Sequence, residues 1–172
     1  MSLIIFEKKT VKFLFSFLTL IVVTLTSVAQ TEITPPYKRI KGWPPLVLTQ
    51  LNKQELTSKD LKNQATIIMY FSPDCDHCKQ QTTEMINRIK DLSKYQIILA
   101  TYQPEEQMAG FQTYYQLQKY PNIRMGRDTK FLLPPFYKIK NLPYLALYNK
   151  KGDLIKTFDG NVKVDTLLKS FN

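Results

Sequence analysis

The chain has 172 residues, 44% hydrophobic and 22% charged, with 10 prolines, 5 glycines and 2 cysteines. That length holds one compact domain and a terminal segment, which excludes a large multidomain enzyme, and the apolar content excludes wholesale disorder. The formal charge of +10 comes from scattered lysines, without a basic stripe and interleaved aromatics, so nucleic-acid binding is not expected.

Residues 1–29 read as an export signal. Lys8, Lys9 and Lys12 precede an uncharged apolar run at 13–23, and Ser27-Val28-Ala29 fits the small-x-small cleavage rule. The alternative is an uncleaved anchor, but a spanning helix needs about 20 apolar residues, and Ser16, Thr19, Thr24, Thr26 and Ser27 dilute this stretch. Either way the remainder is delivered outside the cytoplasm, to the periplasm or beyond, where disulfides persist. Residues 30–45 carry four prolines and several charges and read as an extended leader.

The folded domain is expected over 46–172. Residues 46–49 suggest a short strand, Asn52-Lys53 a turn, and Ser58 the cap of a short helix over 59–62. Residues 65–71 (ATIIMYF) form a near-continuous apolar run, as a strand covered on both faces requires. After Ser72-Pro73-Asp74, the spacing of Cys78, Met85, Ile86, Ile89 and Leu92 predicts a helix over 75–93. A second apolar strand follows at 96–102. Pro104, Glu105 and Glu106 then open a helix running to about 119. Residues 122–125 suggest a short strand, and 131–139, with Pro134-Pro135, fit no single pattern. Strands at 144–148 and 154–158 flank a hairpin turn at 150–153, and Val164, Leu167, Leu168 and Phe171 mark a last helix. Strand–helix–strand demands a parallel crossover and the hairpin an antiparallel pair. The fold class is therefore α/β, one mixed sheet with helices on both faces.

Both cysteines sit in one C-x-x-C, Cys75-Asp76-His77-Cys78, directly after the buried strand and at a helix start. That spacing on a first helical turn lets the sulfurs bridge. Cys78 shares the inward stripe and is expected to be sheltered, whereas Cys75 lies at the open helix end, facing unpaired amide N–H groups. Those amides and the helix dipole favour a thiolate, the reactive form. Cys75 is thus the candidate nucleophile and Cys78 the resolving thiol. His77 is expected to lower the thiolate pKa further, while Asp76 and Asp74 oppose it by repulsion. Two cysteines and one histidine cannot complete a structural zinc site. Haem attachment needs histidine where Lys79 stands, and no P-loop pattern occurs. No metal or organic cofactor is expected.

At this point the chain resembles the thioredoxin superfamily, and more narrowly its exported TlpA/ResA-type members, over about 46–171. The resemblance rests on strand-Cys75-Asp76-His77-Cys78-helix, on Leu142-Pro143-Tyr144 ahead of a strand, and on the Asn149–Asp153 hairpin with Phe158-Asp159-Gly160. It implies a three-layer α/β/α sandwich. It also implies a cis Pro143 facing the dithiol, with Leu142 lending backbone groups to a bound substrate chain. Where relatives carry Trp before the first cysteine, this chain has Asp74. Where thioredoxins bury an acid in the strand it has Met69, and where some ResA-like reductases have Glu it has Gln81. The nearest acid on the helix is Glu84, so Cys78 deprotonation lacks the usual internal carboxylate and would fall to Glu84 or a water. His at the third motif position resembles oxidising relatives of the DsbA and disulfide-isomerase kinds. The resulting expectation is a monomeric exported thiol–disulfide oxidoreductase acting on protein thiols and disulfides, recharged by a partner dithiol protein. The competing expectation is a thioredoxin-like peptide-binding module with an idle disulfide.

Overall fold

The structure is a computed structural model and describes residues 34–61 and 63–172. The expected export signal and its cleavage point lie outside the described residues. Three strands, β3 (Thr66–Tyr70), β4 (Gln96–Thr101) and β6 (Tyr144–Tyr148), are buried at every position. They form the centre of a seven-stranded sheet. It is completed by β1 (Val47–Thr49), β2 (Glu55–Thr57), β5 (Ile123–Arg127) and β7 (Leu154–Asp159), in the order β2-β1-β5-β4-β3-β6-β7. Five helices accompany it among the described residues: α1 (Pro36–Arg39), α2 (Asp76–Asn87), α3 (Glu105–Tyr114), α4 (Leu133–Tyr137) and α5 (Val164–Ser170).

The β3–α2–β4 and β4–α3–β5 units are parallel pairs, whereas β6 pairs antiparallel with both β3 and β7. The mixed sheet expected from the element order is therefore present. Strand alternation then divides the core in two. Ile67, Met69, Phe71, Ile97, Leu99, Leu145 and Leu147 face one way, under Cys78 and Met85 of α2, Met108 and Phe111 of α3, and Val164 and Leu167 of α5. Ile68, Tyr70, Ile98, Ala100, Tyr144, Ala146 and Tyr148 face the other way, in one cluster with Leu133, Phe136 and Tyr137 of α4 and with Leu46, Leu48, Leu56 and Leu61. Both faces are covered, which is why the central strands read as unbroken apolar runs.

Several elements differ from their sequence expectation. The leader segment contains the helical turn α1, and Trp43 packs at 5.3 Å on the Tyr148 ring and beneath the Gly152 turn. The 3-10 turn Ser58–Asp60 is capped by Thr57, whose N–H and hydroxyl donate to Asp60, while Ser58 instead donates to the Pro44 carbonyl and accepts from the Leu46 N–H. The α2 helix stops at Asn87 and gives way to turns. The α3 helix ends at Tyr114, and left-handed Gln116 (φ 51°) separates it from the 3-10 turn Leu117–Lys119. The ambiguous stretch 131–139 is α4, with Asp128 accepting from the N–H groups of Leu132 and Leu133 at 2.9 and 3.0 Å. Prolines fit here because a first helical turn needs no N–H from them.

The β1 strand pairs with β5 at Thr49 and Arg127, and it presses close. A Cβ at Gly126 would stand 2.8 Å from the Leu48 Cβ and 3.2 Å from the Thr49 carbonyl oxygen. Gly126→Ala is therefore expected to cost about 1–3 kcal/mol of stability, read as a lower urea midpoint. An unchanged midpoint would mean that the β1 edge yields without loss.

Candidate active site

Register decides what meets at the rim of the sheet. Tyr70, the last residue of β3, is opposite Tyr144, the first of β6. The chain leaving β3 and the chain entering β6 therefore emerge side by side. The first carries Cys75 and the second Leu142-Pro143, whose peptide bond is cis. Ser72-Pro73-Asp74 turns the chain, with the Cys75 N–H donating to the Ser72 carbonyl at 3.1 Å, and Cys75 becomes the N-cap of α2. On the other side the Gly160 N–H, at the end of β7, donates to the Pro143 carbonyl at 2.9 Å.

The N-cap position sets the surroundings of Cys75. Its sulfur accepts the backbone N–H of Cys78 at 3.2 Å, one of the amides a helix start leaves unpaired. Its S–H points across to the Leu142 carbonyl at 3.8 Å. Cys75 is half-buried, whereas Cys78 is fully buried, packed with Phe71, Met85 and Met69 in one core cluster. Both are free thiols in this structure. Burial first, and the hydrogen bond with Cys75 second, push the Cys78 thiol far above its ordinary range, and backbone groups at Ser72 and Cys78 offset only part of this. The two sulfurs thus occupy unlike environments one helical turn apart.

The flanking residues make contacts of their own. His77 is exposed, and its imidazole makes no hydrogen bond to either sulfur among the described residues. Asp76 is exposed and pairs with Lys79 at 3.1 Å. Glu84 does not serve Cys78: its carboxylate accepts the Val164 N–H at 3.0 Å, at the start of α5. Gln81 is 1% exposed, and its amide both donates to the Val162 carbonyl (3.0 Å) and accepts the Val162 N–H (2.7 Å). Gln80 accepts from Asn161 at 3.1 Å. Three α2 side chains therefore clamp the 161–164 loop, which follows directly on the Gly160 contact with Pro143. Sequence reasoning missed this clamp. The available signal was a glutamine one turn after Cys78 on an otherwise apolar stripe. Among the described residues no three His, Cys, Asp or Glu side chains gather as a metal site.

No protein-family model matches the chain. A curated protein disulfide-isomerase of Zea mays is 34% identical over 70 residues, 39% of this chain but only 14% of the maize protein. Solved structures align over far more of it. A secreted Mycobacterium tuberculosis disulfide oxidoreductase homologous to E. coli DsbE matches with TM-score 0.62 and 14% identity, over 74% of this chain and 94% of its own. StoA from Bacillus subtilis gives 0.58 and 19%, over 74% and 98%. The exposed lipoprotein thioredoxin of Streptococcus pneumoniae gives 0.59 and 19%, over 73% and 96%. The fold is thioredoxin-like, a three-layer α/β/α sandwich.

The unequal environments make a direct prediction. Iodoacetamide at neutral pH is expected to label reduced protein once, at Cys75, and to reach Cys78 only after unfolding, as read by peptide mass. Equal labelling of both in the native protein would contradict the assignment of unlike roles.

Proposed function

We propose that this chain is an exported thiol–disulfide oxidoreductase of the TlpA/ResA type, working on polypeptide disulfides through Cys75 and Cys78. The observation that carries the reading is the Cys75 sulfur, held at a helix N-cap by the Cys78 N–H and turned toward the Leu142 carbonyl while Cys78 stays buried. The thioredoxin-like fold and the likeness to a disulfide oxidoreductase and a disulfide-isomerase support it. The secreted and surface-exposed neighbours agree with an extracytoplasmic site, as does the sequence of residues 1–29.

In the reducing direction the Cys75 thiolate attacks one sulfur of the substrate disulfide. A Cys75–substrate bond forms, and the second substrate sulfur leaves as a thiolate. Cys78 then loses its proton and attacks the Cys75 sulfur. The 75–78 disulfide closes, the first substrate sulfur departs, and two electrons have passed to the substrate. Glu84 is engaged by Val164 and Met69 carries no acid. The Cys78 proton therefore passes to the departing substrate thiolate or to water. Opening the disulfide by the reverse steps oxidises a substrate dithiol. His77 and Asp76, at the exposed helix start, tune the electrostatics of the Cys75 thiolate without touching it. Leu142 and Pro143 present backbone to the substrate chain. No organic cofactor enters, and a partner dithiol protein resets the pair.

Cys78→Ala is expected to accumulate a mixed disulfide with substrate, seen as added mass that dithiothreitol removes. Cys75→Ala is expected to accumulate none, and both are expected to lose turnover. If neither variant alters disulfide exchange, the chain is a binding module rather than an enzyme. Equilibration in glutathione buffer fixes the direction: a potential of about −270 mV marks a reductant and about −120 mV an oxidant.

A further inference from the structure

Cations that are scattered along the sequence are gathered by the fold. The α1 helix packs against α4, with the Tyr37 ring 5.8 Å from that of Tyr137. This joins segment 34–41, carrying Lys38, Arg39 and Lys41, to segment 129–141, carrying Lys130, Lys138 and Lys140. All six are exposed, and neither segment contains an acid. Among the described residues no ion pair engages Lys38, Arg39, Lys41, Lys130 or Lys140. Asp128, just upstream, is 2% exposed and is engaged by the Leu132 and Leu133 N–H groups. An exposed acid, Asp159, borders the patch, where it accepts from Asn141 at 3.3 Å.

Two apolar side chains accompany these cations. Ile40 lies between Arg39 and Lys41 and is 54% exposed, and Phe131 follows Lys130 and is 51% exposed. Phe131 also has φ 50°, a left-handed conformation that is unusual for a bulky residue. Its N–H donates to the Asp128 carbonyl at 3.1 Å, and its ring meets the Tyr102 ring edge-on at 5.8 Å. The loop thus holds an aromatic half out of the protein at a conformational cost. The described grooves, of about 1040 and 260 Å³, lie along α2 and α3, on the opposite face of the sheet from α4. The α1–α4 face presents spread charge and protruding apolar tips instead. Spread lysines suit an extended anionic surface, whereas a bound peptide is gripped by a groove, a sheet edge or arginine forks.

We propose that the α1–α4 face docks on a membrane surface: its cations lie against anionic lipid headgroups, and Ile40 and Phe131 enter the boundary between headgroups and acyl chains. This goes beyond the redox reading and does not depend on it. The chain enters the face at Thr34, after residues whose sequence carries the apolar run at 13–23, and α1 is the first described element. The face also adjoins the dithiol rim. Tyr102, beside Phe131, precedes Gln103, whose side chain donates to Ser72 at 3.3 Å in the turn before Cys75. Docking therefore keeps the dithiol near the lipid surface and favours thiols presented there over those in bulk solution.

The test is cosedimentation of the protein produced from the full chain with vesicles of phosphatidylglycerol and phosphatidylcholine in equal parts, and with vesicles of phosphatidylcholine alone. Wild type is expected to partition onto the anionic vesicles and to be released as salt rises from about 0.05 M to about 0.5 M. Lys38→Gln, Arg39→Gln and Lys41→Gln combined are expected to lower the partition constant about a hundredfold. Phe131→Ser is expected to lower it about tenfold. Lys90→Gln, Lys94→Gln and Lys169→Gln combined remove the same charge from the turns after α2 and from α5, and are expected to change it less than about threefold. Each variant is expected to keep the wild-type rate with oxidised glutathione in solution, which shows that it is folded and separates this result from the redox reading. Equal losses in the two triple variants overturn the proposal, leaving net charge as the cause. Binding to the neutral vesicles that is as tight and unmoved by salt also overturns it, assigning retention to the apolar run. So does binding to a polyglutamate peptide in preference to the anionic vesicles, which marks an acidic protein as the partner.

Discussion

One short contact organises the functional end of this molecule: the backbone N–H of Cys78 on the Cys75 sulfur at 3.2 Å. It forms only if Cys75 stands outside the helix and Cys78 inside it. The turn at Ser72–Asp74 and the start of α2 at Asp76 impose this arrangement. The same contact separates the sulfurs chemically. One is presented to solvent and to the Leu142 carbonyl, and the other is embedded among Phe71, Met85 and Met69. A helix start thus sets one sulfur against an otherwise unpaired amide and turns the other into the core.

Holding the opposite side of the rim is a separate task. The cis-proline loop is fixed to the end of β7 by the Gly160 N–H, and the chain beyond Gly160 is fixed to α2 by Gln80, Gln81 and Glu84. Arg88 adds an ion pair to Asp165 at 3.0 Å. The dithiol helix and the loop facing it are thus joined twice, directly through Cys75 and Leu142, and indirectly through 160–165. A carboxylate that resembled a proton acceptor on the sequence is a helix cap in this second path.

The central strands, α2 and the cysteine pair were legible in the sequence because each has a local signature. Apolar runs mark strands buried on both faces, a 3.6-residue stripe marks α2, and a C-x-x-C at their junction is informative by placement. Of the short strands, β1 and β5 were expected near their positions, whereas β2 escaped, since three residues such as Glu55–Thr57 carry no periodicity. The α4 helix escaped because its cap, Asp128, lies several residues upstream and its first turn is occupied by prolines. The partner of Glu84 was unreadable in principle: 80 positions separate it from Val164, and only the tertiary fold brings them together. His77 is exposed and, among the described residues, makes no hydrogen bond to either sulfur, since adjacency in a motif does not point two side chains at each other on a helix.

Trp43 ties the segment before β1 to the far end of the sheet, over Tyr148 and the Gly152 turn. β6 begins at the dithiol rim and runs away from it, so this indole sits a full strand length from the sulfurs. It is the chain's one tryptophan. Its emission therefore reports whether the N-terminal strap is seated, and it is insulated from the quenching that a nearby disulfide exerts. Optical titration of the thiols must look elsewhere, while the docking of that strap can be followed without a label.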